Sequence, residues 1–158
     1  MQTQTRKPPS QTERLFGLPD PLTEPRFYAA VTAKRLVAWL FDTAITGLLC
    51  LVVLPLTAFT AVFFFPLFWL VIGFAYRWAT ISRGSATWGM QLMAIELREA
   101  DGLRLSMTTA LAHTLLYTVS VVFVPLQVLS VAIMIARGRG QGLSDVILGT
   151  AMINRPLG

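Results

Sequence analysis

One cysteine, one histidine and only eight Asp and Glu are present among 158 residues. A lone Cys50 excludes an intrachain disulfide and says little about redox compartment. One His and one Cys cannot supply an ordinary zinc site, so no metal is expected. The sequence also lacks a Walker-type loop, a dinucleotide fingerprint and a nucleophile elbow, since "GLSDV" does not have that pattern. No Ser-His-Asp arrangement can be assembled. The expectation is a protein that is not an enzyme and carries no cofactor. Charge is scarce too, at 13% of residues, about half the usual share for a soluble domain.

What is abundant is apolar sequence, 54% of the chain. It is clustered. Leu36 to Tyr76 holds one ionisable carboxylate, Asp42, and Thr108 to Ala136 holds no charge unless His113 is protonated. A membrane helix needs roughly 20 such residues, and a soluble fold of this composition would lack polar residues to cover it. The net charge of +5 comes from basic residues flanking the apolar segments, a pattern explained by membrane topology and anionic lipid rather than nucleic acid. The first 30 residues contain no apolar core of a signal peptide, so the first apolar segment is expected to stay as an anchor.

Residues 1–30 read as a flexible polar tail, with Pro8, Pro9, Pro19, Pro21 and Pro25 among Gln, Ser and Thr. Phe27 and Tyr28 suit head-group level at the entry to the membrane. A membrane domain then covers 31–154, followed by a short C-terminal tail, 155–158. Its membrane regions are expected at about 34–54, 61–78 and 108–136. Pro55 and Pro66 place a short hairpin loop between the first two. Tyr76 and Trp78 fit an interfacial aromatic belt, and Gly84 and Gly89 read as turn residues. Between the second and third regions, Met93, Ile95 and Leu97 alternate with Ala94, Glu96 and Arg98, and "DG" at Asp101-Gly102 suits a hairpin turn. This predicts a small β-element at the membrane surface. Ser106 suits the N-cap of the next helix. The fold class is thus an all-α membrane protein, a small helical bundle with a minor β-hairpin element.

The third region is 29 residues with Pro125 in its second half. It is either one span or a re-entrant hairpin. Six Lys and Arg precede Leu36, four lie from Arg77 to Arg104, and three follow the third region. That distribution places the N-terminus in the cytoplasm. A hairpin would return the C-terminus there and let "TAMI" pair with "MAIEL".

The chemistry rests on four candidates. Arg35 and Asp42 are seven residues apart, so they share a helix face with an axial offset of about 10 Å. An ionised Asp at the centre of a membrane helix costs about 2.5–3.5 kcal/mol. Asp42 therefore needs an interior position, a proton or a partner. Thr43 and Thr46 are its polar neighbours. Two roles are open: a proton or cation site, and a structural contact that fixes helix packing. His113 could meet Asp42 or Arg35. Asp145 could meet Arg35 if the tail returns, or could be a solvated N-cap.

These residues together resemble the RDD family of small membrane proteins, over about Val31 to Asn154. "RLVAWLFD" is similar to the family's first helix and supplies Arg35 and Asp42. "GSATWGMQLMAIELREADG" resembles its G-x-T-P-G-K turn, strand and DG hairpin, with Trp88 and Met90 in place of Pro and Lys. "GLSDVILGT" resembles its closing element and supplies Asp145. His113 stands near where many members have Arg. The resemblance implies a small bacterial inner-membrane protein. Its role would be proton- or cation-coupled transport centred on Asp42, or that of a non-catalytic accessory or scaffold subunit. The expected partners are the lipid bilayer and further copies of the chain, or a larger membrane complex.

Overall fold

The computed structural model of the protein describes residues 17–136 and 139–155. Helix α1, Val31–Val53, starts after the left-handed Ala30 and ends where Leu54-Pro55 cannot continue an α-helix. Two 3-10 turns, Leu54–Thr57 and Thr60–Phe64, reverse the chain, with Ala58 and Phe59 left-handed between them. Helix α2, Phe65–Gly84, carries Pro66 in its first turn, where a missing N–H does no harm. It begins four residues later than the sequence predicts, because the 3-10 turn occupies Ala61 to Phe64, and it runs six residues further.

At the end of α2, Ser85 turns left-handed and Thr87 caps the short helix α3, Trp88–Leu92, its Oγ1 accepting from the Met90 N–H at 3.2 Å. Strand β1, Ile95–Arg98, follows. The DG turn forms as expected, with Gly102 at φ 79°, although its return arm is a single bridge between Arg98 and Arg104. Ser106 caps helix α4, Met107–Val122, by accepting from the Thr109 N–H. Helix α5, Val124–Ala136, helix α6, Leu143–Leu148, and strand β2, Ala151–Asn154, complete the chain. The strands pair antiparallel, Ile95 with Asn154 and Arg98 with Ala151, which is the anticipated pairing of the two segments.

Two helical segments, Pro25–Thr57 and Thr60–Gly84, are long and apolar enough to cross a membrane. The third region is broken, with α4 and α5 meeting at 115°. At 13 residues, α5 is about 20 Å long and cannot cross a 30 Å core alone. The chain leaving it returns to the start of α1, where the Gly140 carbonyl accepts from Arg35 Nη1 at 3.3 Å. The two arms form a bent hairpin that brings the chain back to the end of the bundle where α1 starts.

The packed core lies at this one end of the bundle. Val31, Ala38, Ile81, Met90, Ile95, Leu97 and Met152 form it, from both membrane helices, α3 and the two strands. Towards the other end Leu51, Val52, Leu56 and Phe63 are exposed, as suits side chains facing lipid. From Gly17 on, the expected tail is folded: Leu18 and Tyr28 pack on Ala151 and Ile153, and the Tyr28 hydroxyl donates to the Pro19 carbonyl at 2.8 Å. The rest of that tail lies outside the described residues. In β1 the expected alternation of exposure is absent, because Glu96 is buried beside Ile95 and Leu97. Its charge is met by Arg98 and, at 3.4 Å, by Arg155.

Candidate functional site

Besides Glu96, two buried aspartates, each with its own donors, make up the polar interior. Asp145 sits in the first turn of α6 and is fully buried. One oxygen, Oδ2, accepts from Arg35 Nη1 at 2.6 Å and from the Gly142 N–H at 3.0 Å. The other, Oδ1, lies 2.8 Å from His113 Nε2 and accepts from Thr150 Oγ1 at 3.2 Å. Burial acts to raise this carboxyl's pKa, but the Arg35 guanidinium, His113 and the Gly142 N–H outweigh it and hold the group well below the usual carboxylate range. Against an ionised Asp145, His113 places its proton on Nε2. Its Nδ1 has no hydrogen-bond partner among the described residues. One carboxylate therefore ties α1, α4 and α6 together.

Asp42 forms the second centre, on α1, and is 4% exposed. Its Oδ1 accepts from the Tyr76 hydroxyl at 2.7 Å and the Gly89 N–H at 2.9 Å. Its Oδ2 accepts from Thr87 Oγ1 at 2.6 Å and lies 3.6 Å from Arg77 Nη1. Thr87 thus uses one hydroxyl twice, accepting within its own helix cap and donating to Asp42. Gly89 is needed for close approach rather than for a turn: a Cβ there would lie 2.3 Å from the Ala38 carbonyl oxygen and 2.7 Å from Asp42 Oδ1. The Arg77 guanidinium stacks on the Tyr117 ring at 3.8 Å, and the Tyr117 oxygen accepts from Trp39 Nε1 at 3.0 Å. Beside Arg77 opens a cavity of about 130 Å³, lined by Trp39, Asp42, Thr46, Trp69 and Tyr117 among others.

Arg35 and Asp42 share a helix face but belong to different centres, as their axial offset demands. Arg35 takes Asp145, and His113 joins that pair instead of meeting Asp42. Thr46 donates to the Asp42 main-chain carbonyl at 2.8 Å and leaves the carboxylate to others. Asp145 is not a solvated cap; it caps Gly142 from a buried position.

Three residues of the Asp42 centre are not among the sequence candidates: Tyr76, Arg77 and Thr87. Tyr76 belongs to the interior rather than to an interfacial belt, being 7% exposed. A signal for Arg77 was present in the sequence. Asp42 is 11 residues into α1 and Arg77 is seven residues before the end of α2. From the shared end of the hairpin these are depths of about 17 and about 11 Å, close enough for an Arg to reach.

The turn after α2 explains the threonine and second glycine of the resemblance, since both donate to Asp42. The two departures leave that shell intact. The Trp88 N–H goes to the Tyr76 oxygen at 3.2 Å, and the Met90 sulfur accepts from the Thr87 N–H at 3.4 Å. Among the described residues no group of three or more His, Cys, Asp or Glu could hold a metal ion.

An apolar two-helix hairpin, a bent third region and two buried Asp centres define a small helical membrane protein. The family model described as the RDD family matches residues 29–149, and the chain belongs to that family. Neither a curated protein nor a solved structure matches it.

Proposed function

We propose that this RDD-family membrane protein is a non-catalytic accessory subunit, whose two Asp centres serve to hold its fold together. The observation that carries this reading is the shell of Asp42. Three hydrogen-bond donors from two elements already engage both oxygens of the carboxylate, and a guanidinium stands behind them. A hard cation seeks several oxygen ligands, and this shell offers donors and a positive charge instead. Asp42 joined to Tyr76, Thr87 and Gly89 acts as a clamp between α1, α2 and the turn that follows. Proton- or cation-coupled transport centred on Asp42 finds less support, because any ion would have to displace that shell.

The same proposal assigns it to a bacterial inner membrane with its N-terminus in the cytoplasm. The described Lys and Arg residues sit toward the end of the bundle where α1 starts, and the stretches Leu36 to Tyr76 and Thr108 to Ala136 contain none, which satisfies the positive-inside rule. Two crossings and a re-entrant hairpin cannot surround a pathway alone, so the protein works with further copies or within a larger complex.

Purified protein in proteoliposomes tests the role. The expected result is no flux dependent on a pH or cation gradient above that of empty vesicles, with Asp42→Asn lowering thermal stability. Flux that Asp42→Asn abolishes while insertion and stability stay normal would overturn the accessory reading.

A further inference from the structure

Arg77 is a buried cation whose donors are not used up. It is 8% exposed. Its Nε has no hydrogen-bond partner among the described residues. Its approach to Asp42, at 3.6 Å, is longer than a hydrogen bond. Arg77 balances the charge of Asp42, but the hydrogen bonds to that carboxylate come from Tyr76, Thr87 and Gly89. A buried, unpaired N–H costs free energy until an acceptor reaches it. Arg77 also forms part of the wall of the cavity beside Asp42.

Apart from the Tyr117 hydroxyl, which only accepts, the other side-chain donors around that cavity are occupied. Trp39 Nε1 gives its proton to Tyr117, and Thr43, Thr46 and Thr118 give theirs to main-chain carbonyls one turn back. The remaining walls are Trp69, Leu70, Phe74 and Val121. Arg77 and Asp42 therefore mark a polar end. Trp69, eight residues back along α2, marks an apolar end about 12 Å deeper in the membrane. A site with a single unfilled cationic donor at the head-group side and aromatic walls inward has the polarity of an anionic amphiphile.

We propose that this cavity binds an anionic acyl amphiphile, its carboxylate or phosphate accepting from Arg77 and the start of its chain lying against Trp69 and Val121. Its size, about 130 Å³, suits a head group and the first part of a chain, the rest running into the surrounding lipid. This inference does not depend on the accessory reading, because the site uses Arg77 and leaves the Asp42 clamp in place.

Native mass spectrometry of the full chain in neutral detergent tests it, with oleate, phosphatidylglycerol, oleate methyl ester and inorganic phosphate as separate probes. The expected result is one saturable adduct per chain with oleate or with phosphatidylglycerol, and which of them binds distinguishes a free acyl anion from a membrane phospholipid. Arg77→Gln should weaken that adduct by at least about tenfold, the scale of a lost charged hydrogen bond. The methyl ester and inorganic phosphate should give none. Methyl ester binding as well as oleate, binding of inorganic phosphate alone, or an adduct indifferent to Arg77→Gln overturns the proposal. If Arg77→Gln fails to insert, Val121→Trp carries the test, because it fills the apolar end and keeps Arg77. Loss of the adduct in that variant supports the site, and an unchanged adduct contradicts it.

Discussion

Asp42 and Arg77 face each other at 3.6 Å across the two membrane helices, yet the hydrogen bonds to Asp42 come from elsewhere. The ion pair sets the charge balance, while Tyr76, Thr87 and Gly89 set the geometry. This division of labour separates what each residue should do when it is changed.

At Gly89 the account predicts a steric failure. Gly89→Ala drives a Cβ into the Ala38 carbonyl and the Asp42 carboxylate, and overpacking of this kind costs about 1–3 kcal/mol or more. Gly84→Ala meets only the Gln91 side chain at 3.6 Å and should be tolerated. Thermal unfolding of the two variants in detergent checks the contrast, which disappears if Gly89 is merely a turn residue.

Removing Asp145 leaves the half-buried Arg35 without its anion, and breaking a fully buried pair costs about 3–5 kcal/mol, an upper bound here. Asp145→Asn and Arg35→Gln should each lower the unfolding temperature strongly. Exchanging the charges, Arg35→Asp with Asp145→Arg, should not rescue either, because the Gly142 N–H and Thr150 hydroxyl donate to position 145 specifically. Recovery in the exchanged protein contradicts this picture.

The same carboxylate gives a pH dependence. Its pKa in the folded protein lies below its unfolded value, which is about 3.9. Its contribution is thus fully present above that value and is lost as pH falls below it toward the folded pKa. Unfolding temperature measured from pH 7 down to pH 3 should fall at the acid end, and less so in Asp145→Asn. Parallel curves for the two proteins would remove Asp145 as the source.

Much of this architecture was legible in the sequence. Apolar length gave the two crossings, Pro55 and Pro66 gave the loop between them, and the DG turn and Ser106 cap fell where expected. Arg35 with Asp145 was legible because Arg35 needs an anion and Asp42 lay two turns away. The Asp42 shell was less so. A tyrosine near a helix end reads equally well as an interfacial anchor, and a main-chain N–H donor such as that of Gly89 leaves no trace in residue type. Glu96 was hidden for a related reason: its period-two position predicted solvent, and only the fold brings Arg155 to it.

The re-entrant reading of α4 and α5 predicts that both chain ends lie on one side of the membrane. Cytoplasm-dependent fluorescent reporters fused before Met1 and after Gly158 should both be bright. One bright and one dark fusion would require a complete third crossing, and would separate Asp145 from Arg35.

The central claim is that the Asp42 carboxylate works as a clamp, and a double-mutant cycle tests it most directly. Asp42→Asn, Thr87→Val and the pair are compared by thermal unfolding in the same detergent. The account predicts that each single change destabilises and that the pair costs clearly less than the two together, with a coupling of about 0.5–3 kcal/mol, as for residues in one hydrogen-bond network. Additive losses, or an Asp42→Asn protein as stable as the parent, would contradict it.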